Sequence, residues 1–216
     1  MCKSMRITKF GHSCLLVEEG KLRVLMDPGN YNPMPDVYGI DVILITHEHD
    51  DHCYLDSIKQ VLGNNPQAEI ITHEAVGKKL ATAEIVSTQI KDGEEIVRNG
   101  VSISSHGTQH ARLHPDIPVV SNTGYVIAHT LYYAGDSFYD PERAIEVLAL
   151  PTIGSWMKIE EAIEYAKKLK PKIVFPVHDG ILIPQSRMSA QKTFSTTLGP
   201  SGIEFKHMVE DSILDY

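Results

Sequence analysis

The chain has 216 residues, 42% of them hydrophobic and 22% charged, with a formal net charge of −8, which is ordinary for a globular protein able to bury a sizeable core. The acidic balance, with no Lys/Arg cluster on a periodic face, excludes a phosphate-backbone track and argues against nucleic acid as a partner. No stretch approaches a membrane span, and Cys2, Cys14 and Cys53 give neither a CxxC pair nor an even disulfide set, so a cytoplasmic chain with reduced thiols and no membrane contact is expected.

In chain order, residues 5–10, 14–18 and 22–26 read as short strands, the last two joined at Glu19-Gly20, so the chain opens as a β-meander. Residues 42–45 are wholly apolar, as in a strand covered on both faces, and run straight into His47-Glu48-His49-Asp50-Asp51-His52. Residues 56–62 read as a helix stopped by Gly63-Asn64-Asn65-Pro66, and a strand at 69–72 leads to a helix at 74–81. A hairpin is expected for 94–97 and 101–105 around Asn99-Gly100, and 123–128 should pair with 131–134. Residues 141–147 and 158–169 have helical periodicity, the second ending before Pro171, and 172–175 form a last buried strand. No Gly/Ser/Pro-rich linker interrupts the chain, so residues 1–216 are expected to form one domain, with two sheets and helices outside them.

The chemistry concentrates in the loop after residues 42–45. In extended backbone, alternate side chains share a side, so His47 and His49 can reach one ion. Asp51 adds a hard oxygen and His52 another imidazole at the expected start of a helix, so one loop can serve two neighbouring ions. A lone histidine is usually structural, and a solvated acidic loop is the bland alternative. Three histidines within six residues behind a wholly apolar strand favour ligation.

His47, His49, Asp51 and His52 match in full the HxHxDH signature of the metallo-β-lactamase superfamily, which this chain resembles. The resemblance extends along the chain through Asp27-Pro28, Gly135-Asp136 and Pro176-Val177-His178 in the family's order, and Gly11-His12-Ser13 and Asp27-Pro28-Gly29 are similar to the compact ascorbate-6-phosphate-lactonase-like branch and its metal-dependent hydrolases of uncharacterised substrate. It implies an α/β fold, a four-layer αββα sandwich. It also implies a pair of divalent ions, zinc first and manganese or iron as alternatives. His47, His49 and a third histidine would hold one, Asp51, His52 and His178 the other, with Asp136 bridging. The third histidine is assigned to His110, with His106 and His114 as alternatives. Two such ions activate water for attack on a carbonyl or phosphoryl centre, with Asp51 or Asp136 relaying a proton, so an ester, lactone, amide or phosphoester of a small molecule is the expected substrate.

Other residues carry two readings each. Asp27 either accepts the free N–H of a ligand histidine or caps a turn before Pro28. His12 and Trp156 either face the pocket or pack beneath it, and Arg112, His114 and Lys158 are either anion anchors or solvated charges. Cys53 reads as a small buried packing residue. The rival functions are a metal-binding protein without turnover, a nuclease, and a redox enzyme of the same superfamily. Diiron members place Glu where His49 stands here and carry a flavin-binding domain, and nucleases bring additional RNA-binding segments. Assembly into a homo-oligomer is compatible with the sequence.

Overall fold

The computed structural model describes residues 5–33 and 36–216. Cys2 and the first part of the N-terminal segment therefore lie outside the described residues. The first half comprises β1 (Arg6–Lys9), β2 (Leu15–Glu19), β3 (Leu22–Met26), β4 (Val42–Leu44), α1 (Leu55–Asn64), β5 (Glu69–Thr72), α2 (Glu74–Ala81) and β6 (Thr88–Gln89). The second comprises β7 (Glu95–Arg98), β8 (Val101–His106), β9 (Gly124–Ile127), β10 (Leu131–Tyr133), β11 (Val147–Pro151), α3 (Ile159–Leu169), β12 (Ile173–Val177), α4 (Pro184–Leu198), β13 (Glu204–Phe205) and β14 (Ser212–Asp215).

These strands form two sheets of seven, ordered β14-β1-β2-β3-β4-β5-β6 and β13-β12-β11-β10-β9-β8-β7. The opening meander β1-β2-β3 is antiparallel, whereas β3-β4-β5 and β10-β11-β12 are parallel. The central strands are apolar throughout because each alternates between two cores. Val42 and Leu44 face the inter-sheet core with Val24, Tyr125, Tyr133, Ala149 and Phe175, while Ile43 and Ile45 meet Ile58, Val61, Val76 and Leu80 of α1 and α2. In the other sheet, Leu148 and Leu150 pack on Ile163, Ala166, Phe194 and Leu198 of α3 and α4. Helices, sheet, sheet and helices thus make the expected αββα layers. Among the described residues, no helix is long and apolar enough to cross a membrane.

Local signals explain most boundaries. Asn65 closes α1 by donating from Nδ2 to Val61 O and Val37 O, both at 2.8 Å, and accepting from Ile40 N at 2.9 Å. At the start of α3, the Glu161 carboxylate accepts the Lys158 N–H at 2.6 Å, and the helix ends at Lys170 in the left-handed region before Pro171.

Two expectations need correction. Residues 141–147 are not a helix: Asp140 Oδ1 accepts the Glu142 N–H at 2.9 Å and Glu142 takes φ 53°, a side-chain turn that diverts the backbone. The apolar run beyond it is instead the central strand β11, buried along its length. Asp51 and His52 do not begin a helix either. They lie in a turn in which His52 N donates to His49 O at 3.0 Å, and α1 starts only at Leu55.

Candidate metal centre

The loops after β3, β4, β8, β10 and β12 converge at one edge of the sandwich. They bring His47, His49, Asp51, His52, His110, Asp136 and His178 together. Their nitrogen and oxygen atoms fall into three groups, His47/His49/His110, His47/His52/Asp136 and His12/Asp51/His52/His178, each within 4.8 Å. The structure brings all seven expected site residues into this cluster. It leaves out His106, half-buried and bonded to Ser104 Oγ at 2.9 Å, and His114, whose side chain is exposed.

Hydrogen bonds behind the rings set which nitrogen faces inward. His52 Nδ1 donates to Asp27 Oδ2 at 2.7 Å, His110 Nδ1 to Ala111 O at 2.7 Å and His178 Nδ1 to Ile153 O at 2.5 Å. Thr46 Oγ1 gives its own proton to Asp27 Oδ2 at 2.7 Å and so accepts from His47 Nδ1 at 3.0 Å. With Nδ1–H held from behind in each ring, Nε2 is the nitrogen turned to the shared volume, where its lone pair ligates an ion once any second proton has left. Asp27 therefore takes the supporting role. Its carboxylate fixes the His52 tautomer and also accepts Thr46 N–H at 2.8 Å.

Asp136 sits at the middle, with His178 Nε2 at 2.9 Å, His52 Nε2 at 3.2 Å, His110 Nε2 at 3.3 Å and His47 Nε2 at 3.9 Å from its oxygens. Asp51 Oδ2 lies 3.5 Å from His178 Nε2 and 3.8 Å from His52 Nε2. His110 Nε2 and Asp136 Oδ1 are buried without a hydrogen-bond partner, a costly arrangement unless something else satisfies them.

Electrostatics point the same way. Burial pushes the His47 imidazole down. Burial also opposes charge on His178 and His52, yet the Asp136 carboxylate outweighs it, lifting His178 to about 9 and His52 well above its ordinary value. Against its own burial, Asp136 is held well below the usual carboxylate range by His52 and His178. A buried pocket this rich in carboxylate charge draws in positive charge, carried by protons on His52 and His178 when no ion is bound and replaceable by a cation, and imidazole with carboxylate is the donor set that divalent ions such as zinc accept. The residues fit a metal.

Several supports complete the centre, and of these Lys79 and Lys9 had no signal in the sequence. Lys79 on α2 holds the ligand loop by donating to Glu48 O, Asp50 Oδ1 and Cys53 O at 2.6, 2.7 and 2.8 Å. His12 is fully buried; its Nδ1 accepts from Gly180 N at 3.0 Å, so its protonated Nε2 points at Asp51 Oδ2, 3.3 Å away, without the alignment of a full hydrogen bond. That tautomer makes His12 a donor toward Asp51. Trp156 faces the pocket and donates its indole N–H to Asp136 Oδ2 at 3.1 Å. The buried pair Lys9–Asp179, at 2.5 Å, ties β1 to the turn after His178. Gly29 has a steric reason: a Cβ there would lie 1.8 Å from Asp51 O, so only glycine lets the Asp27 loop cross the ligand loop. Arg112 and Lys158 are exposed and do not line the cleft over the centre, and Cys53 is buried among apolar neighbours.

Comparison with known proteins identifies the family. Protein Rv0786c of Mycobacterium tuberculosis is 34% identical over 189 residues, covering 85% of this chain and 88% of that protein. A UPF0173 metal-dependent hydrolase of Methanocaldococcus jannaschii is 29% identical over 187 residues, 80% of this chain and 83% of its own. Among solved structures, Igni18, a metallo hydrolase of the archaeon Ignicoccus hospitalis, superposes with a TM-score of 0.76 over 99% of this chain and 98% of its own at 21% identity, a likeness of fold. Residues 6–178 match the family described as the beta-lactamase superfamily domain, and with the αββα layers and the loop cluster already in place, the chain belongs to that family.

Proposed function

We propose that this protein is a metal-dependent hydrolase that works with two divalent ions, zinc by the character of its donors, on a small molecule. The observation that carries the reading is the set of four imidazoles whose Nδ1 protons are committed to acceptors behind them, leaving four Nε2 atoms to converge on Asp136. His47, His49 and His110 would hold one ion, Asp51, His52 and His178 the other, and Asp136 would touch both. When bound, such a pair supplies Lewis-acid polarisation and an activated water nucleophile at neutral pH.

The chain's own residues orient this machinery. Trp156 Nε1–H fixes one Asp136 oxygen, and His12 Nε2–H turns Asp51 toward the cleft. Asp51, with 18% of its side chain exposed against 3% for Asp136, is the carboxylate placed to pass a proton to a leaving group. Burial of His47, His52, His110 and His178 keeps bulk water from competing for them.

The test is metal content per chain by elemental mass spectrometry, paired with hydrolysis of an ester, lactone and phosphoester panel, for wild type and Asp136→Ala. The expected result is about two ions and turnover in wild type, with both reduced in the variant. Two ions with full activity in the variant would remove Asp136 from the bridging position, and a fully loaded wild type inert across the panel would overturn the hydrolase reading.

A further inference from the structure

The centre opens into a cleft of about 350 Å³ whose floor is His49, Asp51, His110, Asp136 and His178. Its walls are of different chemistry. Tyr31, Leu113, Ile117, Val119, Trp156 and Ile181 come from four separate loops and face the same space. Tyr31, Leu113, Ile117 and Ile181 are 55%, 49%, 47% and 53% exposed, so four large apolar side chains stand in water around one mouth. Exposed apolar groups gathered at a concave site, rather than scattered singly, mark a binding surface.

The charges are equally selective. Among the described residues lining the cleft there is no Lys or Arg. The polar side chains on the floor include the two carboxylates, and the indole N–H of Trp156 is already taken by Asp136. A phosphate or carboxylate group on the substrate arm would meet no cationic side chain and would lose its hydration against aliphatic walls, a transfer that costs several kcal/mol when nothing pairs the charge.

We infer that the cleft selects a neutral carboxylic ester or lactone carrying an apolar acyl arm, aliphatic or aromatic, and disfavours an arm that carries an anionic group. This rests on the hydrolase reading above. In the reaction, water adds its oxygen to the acyl carbon, the acyl–oxygen bond breaks, and the departing alkoxide oxygen takes the proton, giving a carboxylic acid and an alcohol. The arm lies along Leu113, Ile117 and Ile181 while the acyl carbon faces the floor. Each methylene of the arm that leaves water strengthens binding by about fourfold when fully buried.

Two readouts on the metal-loaded protein separate this inference from the reading beneath it. The first is kcat/KM for p-nitrophenyl acetate, p-nitrophenyl hexanoate and p-nitrophenyl hydrogen adipate, whose six-carbon arm ends in a carboxylate. The second needs no turnover: fluorescence of Trp156, the chain's only tryptophan, titrated with the ketones butanone and octan-2-one. The hexanoate should exceed the acetate by at least about tenfold, and octan-2-one should bind at least about tenfold tighter than butanone. Ile117→Lys, with Leu113→Lys as a second variant, should shrink both ratios toward unity at unchanged metal content. The adipate turned over faster than the hexanoate, or ester hydrolysis without dependence on arm length in either readout, overturns the cleft assignment and leaves the hydrolase reading standing. Ketone binding that follows arm length, with none of the ester, lactone and phosphoester panel hydrolysed, overturns the hydrolase reading and keeps the apolar cleft.

Discussion

Asp27 Oδ2 accepts the Nδ1–H of His52 at 2.7 Å, with both side chains fully buried. The contact joins the end of β3 to the ligand loop after β4 and leaves His52 one way to face the centre. Replacing Asp27 by Ala frees the ring to rotate or change tautomer, so metal affinity should fall by about 10- to 100-fold. Chelator competition measures it, with circular dichroism to show the fold intact. Unchanged affinity would mean that packing alone holds His52.

Three histidines, His106 at the end of β8 and His110 and His114 in the loop before β9, competed for one ligand position, and only His110 reaches Asp136. His110→Ala should cost about one ion per chain, whereas His106→Ala and His114→Ala should retain wild-type metal content. Elemental analysis of the three variants ranks them, and loss of metal with His106→Ala alone would move the ligand.

Gly29→Ala tests the crossing of the two loops. An added methyl would lie 1.8 Å from the Asp51 carbonyl oxygen, and because that atom is backbone the loop itself must shift. Reduced metal occupancy is expected, together with a melting temperature lowered by a cost of about 1–3 kcal/mol. A variant with full occupancy and wild-type melting would show that the loops separate freely.

The described thiols should be inert in the native chain. Burial pushes the Cys53 thiol up to about 12 and Cys14 higher still. The folded state therefore keeps both thiols protonated at pH values where the unfolded chain, titrating near about 8.5, has lost those protons, so their contribution to stability is intact below that range and declines as pH rises through it. Iodoacetamide at about pH 8 should modify Cys14 and Cys53 only after denaturation, since the thiolate is the reactive form. Peptide mass spectrometry reads this, and rapid native alkylation of Cys53 would show that its pocket opens.

The ligand loop was legible because two local signals coincide there: a strand with apolar residues on both faces, and imidazoles at alternate positions. The same logic failed at β11, where Val147, Leu148, Ala149 and Leu150 continue an apolar run whose first residues suggested a helix, and where the turn at Asp140 and Glu142 decides otherwise. Helix α4 left little trace because only Gln191, Phe194 and Leu198 of its fifteen residues are buried, so its apolar face is too sparse to register as periodicity. Lys9 could not be read at all, and for His12 the sequence left two readings open. Their partners, Asp179 and Gly180, lie 170 and 168 residues away, and no local pattern encodes a meeting at that range.

The centre draws His47, His49, Asp51 and His52 from one sheet and His110, Asp136 and His178 from the other. Any cation shared among them acts as a rivet through the inter-sheet seam, present only when both halves of the chain have docked. By mass action, free metal at about a thousand times its dissociation constant would add about 4 kcal/mol against unfolding. Endurance to heat would then follow the ion supply of the surroundings, so that starvation for metal loosens the seam before it silences any chemistry at its edge.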